Sequence, residues 1–91
     1  MNAAKTDQPI KIPAHIAWRK VGDEIVVLDL NTSIYWSLNE LAGFIWELLT
    51  QGKQEKYIAT QVCAHYDVSE KVSEKDIRIC LEDLAKEGLI Q

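Results

Sequence analysis

Basic side chains are in the minority: 10 Lys and Arg face 14 Asp and Glu, leaving a net charge of −4. A nucleic-acid surface works by setting cations against phosphates, so this balance argues against one and favours a cationic or neutral partner. Long hydrophobic runs are missing too. No stretch approaches the roughly 18 apolar residues of a membrane span, and no apolar signal segment follows Met1, so a cytoplasmic protein is expected. The two cysteines, Cys63 and Cys80, lack metal or redox spacing and read as free thiols of a reducing compartment. There is no Gly-rich phosphate loop, no paired-carboxylate site and no zinc spacing, so no catalytic residue, metal site or cofactor is expected. Cys63 and His65 stand two apart on a helix and point in different directions. Cys80 reads as a small core residue.

What is present suits one modest domain: 91 residues, 47% of them hydrophobic. The segment 1–11 lacks periodicity and is expected to be a flexible tail, with residues 12–91 forming the domain. Pro9 and Pro13 disfavour helix at the entry. IAWRKV at 16–21 reads as a first strand, Gly22-Asp23 as a hairpin turn, and EIVVLDL at 24–30 as a central strand. Asn31-Thr32-Ser33 then turns into a third strand, SIYWSL at 33–38. From Asn39 the period becomes helical, with Leu41, Phe44, Ile45, Leu48 and Leu49 on one side and Gly52 as the stop. A second helix is expected from about Gln54 to His65, with Ile58, Val62 and Tyr66 on one face. The third is expected to open on the capping box Ser73-Glu74-Lys75-Asp76, with Val72 and Ile77 as its staple. Ile77, Cys80, Leu81 and Leu84 form its inner stripe, Gly88 ends it, and Leu89 packs back on Leu84. The fold expected is α+β, a three-stranded antiparallel meander followed by three helices. Trp18, Trp36 and Trp46 suit a core, and Trp36 also suits a binding surface.

Each outer strand of such a sheet exposes unpaired backbone groups, which proteins usually guard with charge or proline. The first strand has Pro13 before it and Arg19 and Lys20 within it. The third, from Thr32 to Leu38, has neither charge nor proline. Three occupants suit that edge: a helix of the same chain, a peptide added as a further strand, or a second copy pairing edge to edge as a homodimer. The helix-turn-helix order of the last two helices also admits a DNA-binding or regulatory protein, but SEKDIRICLEDLAKEG is acidic on balance and would repel a duplex.

The run VVLDLNTSIYWSLNELAGFIWELL resembles the signature of the PqqD-like family. Leu28-Asp29, a turn, an aromatic strand, Leu38-Asn39, and Ile45-Trp46 with Leu48 and Leu49 follow in the family's order. Tyr66-Asp67-Val68-Ser69, Asp76-Ile77, Leu81, Leu84 and Gly88-Leu89-Ile90 match its tail pattern, so the likeness covers about 12–90. The resemblance implies a winged helix-turn-helix-like RiPP recognition element. Such a non-catalytic chaperone binds the leader of a ribosomally made precursor peptide as an extra strand between the third strand and third helix. It then presents the peptide to a modifying enzyme, often a radical-SAM protein. Carried onto this chain, the leader lies along Ser33, Ile34, Tyr35, Trp36 and Ser37. Asp76, Ile79, Cys80 and Asp83 form the opposite wall, with Leu84 of the adjoining stripe. Asp76 and Asp83 there would favour a leader carrying Lys or Arg. The uncharged third strand places the chain nearer to relatives from other peptide-modification clusters than to members devoted to pyrroloquinoline quinone (PQQ) synthesis.

Overall fold

In the computed structural model, which describes residues 10–91, the chain runs β1 (Ile16–Val21), β2 (Glu24–Asp29), β3 (Tyr35–Leu38), α1 (Glu40–Thr50), α2 (Glu55–Tyr66) and α3 (Glu70–Lys86). The strands form one antiparallel sheet in the order β1-β2-β3. The fold is α+β, and its likeness to a winged helix-turn-helix is loose, since the whole sheet precedes the helices. Most of the expected tail falls on residues 1–9, outside the described ones. Ile10 and Ile12 pack against the core, and the Lys11 carbonyl accepts from the Gln91 amide at 2.8 Å.

The register sets Ile25 opposite Lys20 and Leu38, and Val27 opposite Trp18 and Trp36. Strand alternation therefore turns Ile25, Val27, Trp36 and Leu38 toward the helices, and Val26, Leu28, Tyr35 and Ser37 away from them. Ile25 and Val27 are buried, whereas Val26 and Leu28 are only half-buried. Gly22, at φ +63°, makes the β1–β2 turn.

The second turn is longer than the sequence suggests. The Asp29 carboxylate accepts from the amides of Asn31 at 2.8 Å and Thr32 at 3.2 Å. This side-chain turn ends β2 at Asp29 rather than Leu30. It leaves Ser33 at φ +65°, so β3 begins at Tyr35 and not at Ser33.

Asn39 caps α1, its side-chain oxygen accepting from the Ala42 amide at 2.8 Å. A glycine inside a helix usually costs about 1 kcal/mol. At Gly43 it has a use, because an added Cβ would meet Ile25 Cγ1 at 3.1 Å. Its absence lets α1 approach β2 closely. The helix ends as expected: Gly52 takes φ +80°, and the Lys53 and Gly52 amides donate back to Leu48 and Leu49.

One boundary is corrected. The N-cap of α3 is Ser69, whose hydroxyl accepts from the Val72 amide at 3.2 Å, so the helix opens a turn before Ser73. Asp67 ends α2 in the left-handed conformation, and Ser69 is then free to cap at once. Ser73 lies inside the helix, fully buried, and its hydroxyl donates to the Ala59 carbonyl at 2.8 Å. Val72 is exposed and forms no staple. The C-terminus matches expectation: Gly88 takes φ +79°, the Leu89 amide donates to Leu84 at 2.9 Å, and both leucines are buried.

The core sits between the sheet's inner face and the helices. Ile45, Trp46, Ile58 and Ile77 are completely buried there, each worth about 2–3 kcal/mol of apolar transfer.

Candidate functional site

A groove of about 470 Å³ runs between β3 and α3. Trp36, Ser37 and Leu38 of β3 form one wall. Asn39, Leu41 and Ala42, at the start of α1, form the floor, because the Asn39 cap starts the helix directly beneath the strand. The far wall comes from α3, where Asp76, Ile79, Cys80, Asp83, Leu84 and Glu87 recur at the three- and four-residue intervals of one helix face. Leu89 closes the end. The lining joins apolar surface to three carboxylates, and Ile79 is left 48% exposed there. The basic residues of α3, Lys71, Lys75 and Arg78, line an adjoining depression, which shares Ile79 with the groove, and not the groove itself.

The backbone of β3 supplies the other half of the geometry. The Asp29 amide donates to the Ile34 carbonyl at 2.9 Å, marking 29/34 as a hydrogen-bonded position of the antiparallel ladder. Bonded pairs alternate with unbonded ones, so Val27/Trp36 and Ile25/Leu38 are bonded, while Leu28/Tyr35 and Val26/Ser37 are not. The amides and carbonyls of Tyr35 and Ser37 therefore point away from β2, along the outer edge. Among the described residues neither makes a backbone hydrogen bond outside the sheet.

Of the residues singled out from the sequence, the fold brings Trp36, Ser37, Asp76, Ile79, Cys80, Asp83 and Leu84 to the groove. Ser33 and Ile34 sit in the turn instead, and the Ile34 carbonyl is held by β2. Tyr35 borders the groove through its backbone, while its side chain stands on the other face of the sheet, 69% exposed. Sequence reasoning missed the floor at Leu41 and Ala42 and the last carboxylate, Glu87. A signal for Glu87 was present in the i, i+4 step from Asp83.

Asp76, Asp83 and Glu87 give the groove an acidic lining, and its one thiol is not poised for reaction. Burial, and next the Asp83 carboxylate, push the Cys80 thiol up to about 11, so it stays protonated at neutral pH. A second concavity, about 670 Å³, lies against another flank of α1 and shares only Leu38 and Asn39 with the groove. It is polar, it is lined by both members of the Lys20–Glu47 ion pair, 3.5 Å apart, and β3 contributes only Leu38 to it. Among the described residues no group of three His, Cys, Asp or Glu could hold a metal ion, and no helix is long and apolar enough to cross a membrane.

Comparison with known proteins bears on this geometry. The family model for coenzyme PQQ synthesis protein D (PqqD) matches residues 24–90. Among solved structures, TbiB1 in complex with the TbiA(beta) leader peptide is 34% identical, with a TM-score of 0.86 over 89% of this chain and 94% of that one. A lasso peptide synthetase B1 complexed with the leader peptide is 24% identical, with a TM-score of 0.86 over 92% of this chain and 99% of that one, a likeness of fold. No curated protein matches the sequence. With nearly three-quarters of its length matched by the family model and a 34% identical solved relative aligned over 89% of it, this chain belongs to the PqqD family.

Proposed function

We propose that this protein is a non-catalytic recognition element that captures the leader of a ribosomally made precursor peptide and presents it to a peptide-modifying enzyme. The observation that carries the reading is the unpaired edge of β3 set directly along the groove. A guest strand can bond to the outward groups of Tyr35 and Ser37 while its side chains on one face drop between Trp36 and Ile79. Backbone pairing gives affinity for any extended chain. Selectivity comes from the apolar anchors and from Asp76, Asp83 and Glu87, which favour a leader with Lys or Arg at the α3 side. The 34% identical TbiB1 was solved with a leader peptide, which supports the same role here.

Leader affinities from micromolar to nanomolar correspond to about −8 to −12 kcal/mol, within reach of a few backbone bonds and two or three buried anchors. The test is calorimetric titration with synthetic leaders from the precursor peptides encoded beside this chain's gene. Saturable binding, with amide signals of Tyr35 and Ser37 shifting on titration, is the expected result. Absence of binding by every such leader would overturn the reading.

A further inference from the structure

The concavity on the other flank of α1 takes no part in pairing at β3, yet its lining is chemically particular. Four carboxylates, Asp23, Glu24, Glu40 and Glu47, line it with a single Lys, Lys20. Glu47 is tied to Lys20 at 3.5 Å, and Glu24 accepts from the Ser37 hydroxyl at 3.3 Å. The carboxylates of Asp23 and Glu40 have neither an ion pair nor a hydrogen bond among the described residues. A flat aromatic wall stands beside them. Phe44 stacks on His65, with 4.6 Å between ring centroids and 20° between planes, and Tyr66 meets both rings edge-on. Tyr66 supplies an independent observation: its hydroxyl is buried and finds no hydrogen-bond partner among the described residues. Buried hydroxyls are normally satisfied. Burial, and next the Glu40 carboxylate, push the phenol's pKa up, so it keeps its proton and Glu40 stands on its side of the concavity. The helix dipole accounts for an acidic residue in the first turn of α1, but not for the unpartnered hydroxyl.

We propose that this concavity is a second subsite for the captured peptide, holding the guanidinium of an arginine just outside the segment paired with β3; this rests on the function proposed above. Charge selects a cation, since the carboxylates of the lining outnumber its lysine by four to one. Shape then selects guanidinium over ammonium. Its flat group lies against ring faces, and its fork of donors reaches the Glu40 carboxylate and the Tyr66 hydroxyl oxygen together. Position selects the peptide as its source. The concavity and the groove share Leu38 and Asn39, and they flank the first turn of α1, with Glu40 and Gly43 in one and Leu41 and Ala42 in the other. Ser37 is the last residue of β3 with outward backbone groups, so a guest bonded there has its next residues at the shared rim. The strand pairing then sets the register, and the arginine is read at a fixed distance from it.

The probes are the leader encoded beside this chain's gene, the same leader with each arginine replaced in turn by citrulline, and free N-acetylargininamide. Citrulline keeps the shape of arginine and loses its charge. The protein variants are Glu40→Gln and Tyr66→Phe, neither of which lines the groove. Affinities are measured by calorimetry and melting temperatures confirm the fold. One citrulline replacement, outside the paired segment, is expected to cost at least fivefold with the unsubstituted protein and less than twofold with Glu40→Gln. Asp76→Asn combined with Asp83→Asn should leave that fivefold cost intact, which separates this subsite from the groove. Tyr66→Phe should weaken the leader at least threefold while melting no lower than the unsubstituted protein. A leader that binds with no arginine coupled to Glu40, or that carries no arginine, overturns the inference while the recognition role stands. If N-acetylargininamide shifts the His65 and Tyr66 ring signals and no leader arginine couples to Glu40, the inference is overturned in favour of a free guanidino compound. If the unsubstituted protein binds no leader, the recognition role falls first and the subsite with it.

Discussion

The two outer strands carry the same backbone and meet solvent differently. On β1 the His15 carbonyl accepts from Leu30, which by alternation turns the Ile16 amide outward; the Pro13 carbonyl takes that amide at 3.0 Å. Arg19 and Lys20 follow, and Lys20 is tied to Glu47 of α1. On β3 the outward amides belong to Tyr35 and Ser37, with no charge in the strand and a groove alongside. The contrast teaches that an open edge is a matter of placement as much as of sequence. An unguarded strand invites any chain, and a wall at the right distance decides which one stays.

The sharpest way to break the comparison is to place a proline on each edge. Tyr35→Pro removes an outward donor at the first residue of an edge strand, where proline is tolerated, so the fold persists. Leader affinity is expected to fall roughly 100-fold, counting the lost bond and the ring in the path of the guest strand. Lys20→Pro, the counterpart on β1, should leave affinity within twofold. Equal effects on calorimetric affinity would erase the distinction between the edges.

The opposite wall comes next. Ile79→Asp is expected to weaken leader binding roughly tenfold through loss of an apolar anchor. Val72→Asp, on the same helix but away from the groove and similarly exposed, should not. Both should melt close to the unsubstituted protein, since changes at exposed sites rarely exceed about 0.5 kcal/mol.

A smaller change tests charge. Asp76→Asn combined with Asp83→Asn should cost about three- to fivefold in affinity for a Lys- or Arg-bearing leader, and a neutral leader should not notice. The loss should shrink in high salt, where the carboxylates are screened.

The smallest effect concerns Cys80. Its thiol holds its proton up to about 11 in the folded protein, against an ordinary 9.0. As pH rises through that window the unfolded chain releases a proton that the folded one keeps, so stability declines. Urea melts at pH 8 and pH 10.5 should show part of that decline removed by Cys80→Ala. Leader binding should slow alkylation of Cys80 further, as the guest strand covers the groove.

Much of this was legible because local chemistry and global fold agree. Asn39, Gly52 and Gly88 mark helix ends that form as written, and the bare third strand stands out against its guarded counterpart. The errors share a cause: a polar side chain had two partners available. Asp29 captures the amides of Asn31 and Thr32 and shortens β3. Ser73, placed like a cap, bonds to Ala59 across the helix interface and leaves the cap to Ser69. Which partner wins depends on packing that no local pattern contains. The floor of the groove was hidden for the same reason, since Leu41 and Ala42 read as helix and become a site only where α1 lies under β3.

Gly43 has a consequence of its own. By letting α1 rest against Ile25, that missing side chain fixes the level of the groove's floor from a position outside the groove. A methyl group there would meet Ile25 Cγ1 at 3.1 Å, and to the extent that the helix rather than the Ile25 side chain gives way, the channel becomes shallower for every guest at once. Depth, and with it the largest side chain admitted, is thus adjustable from a residue that no peptide touches.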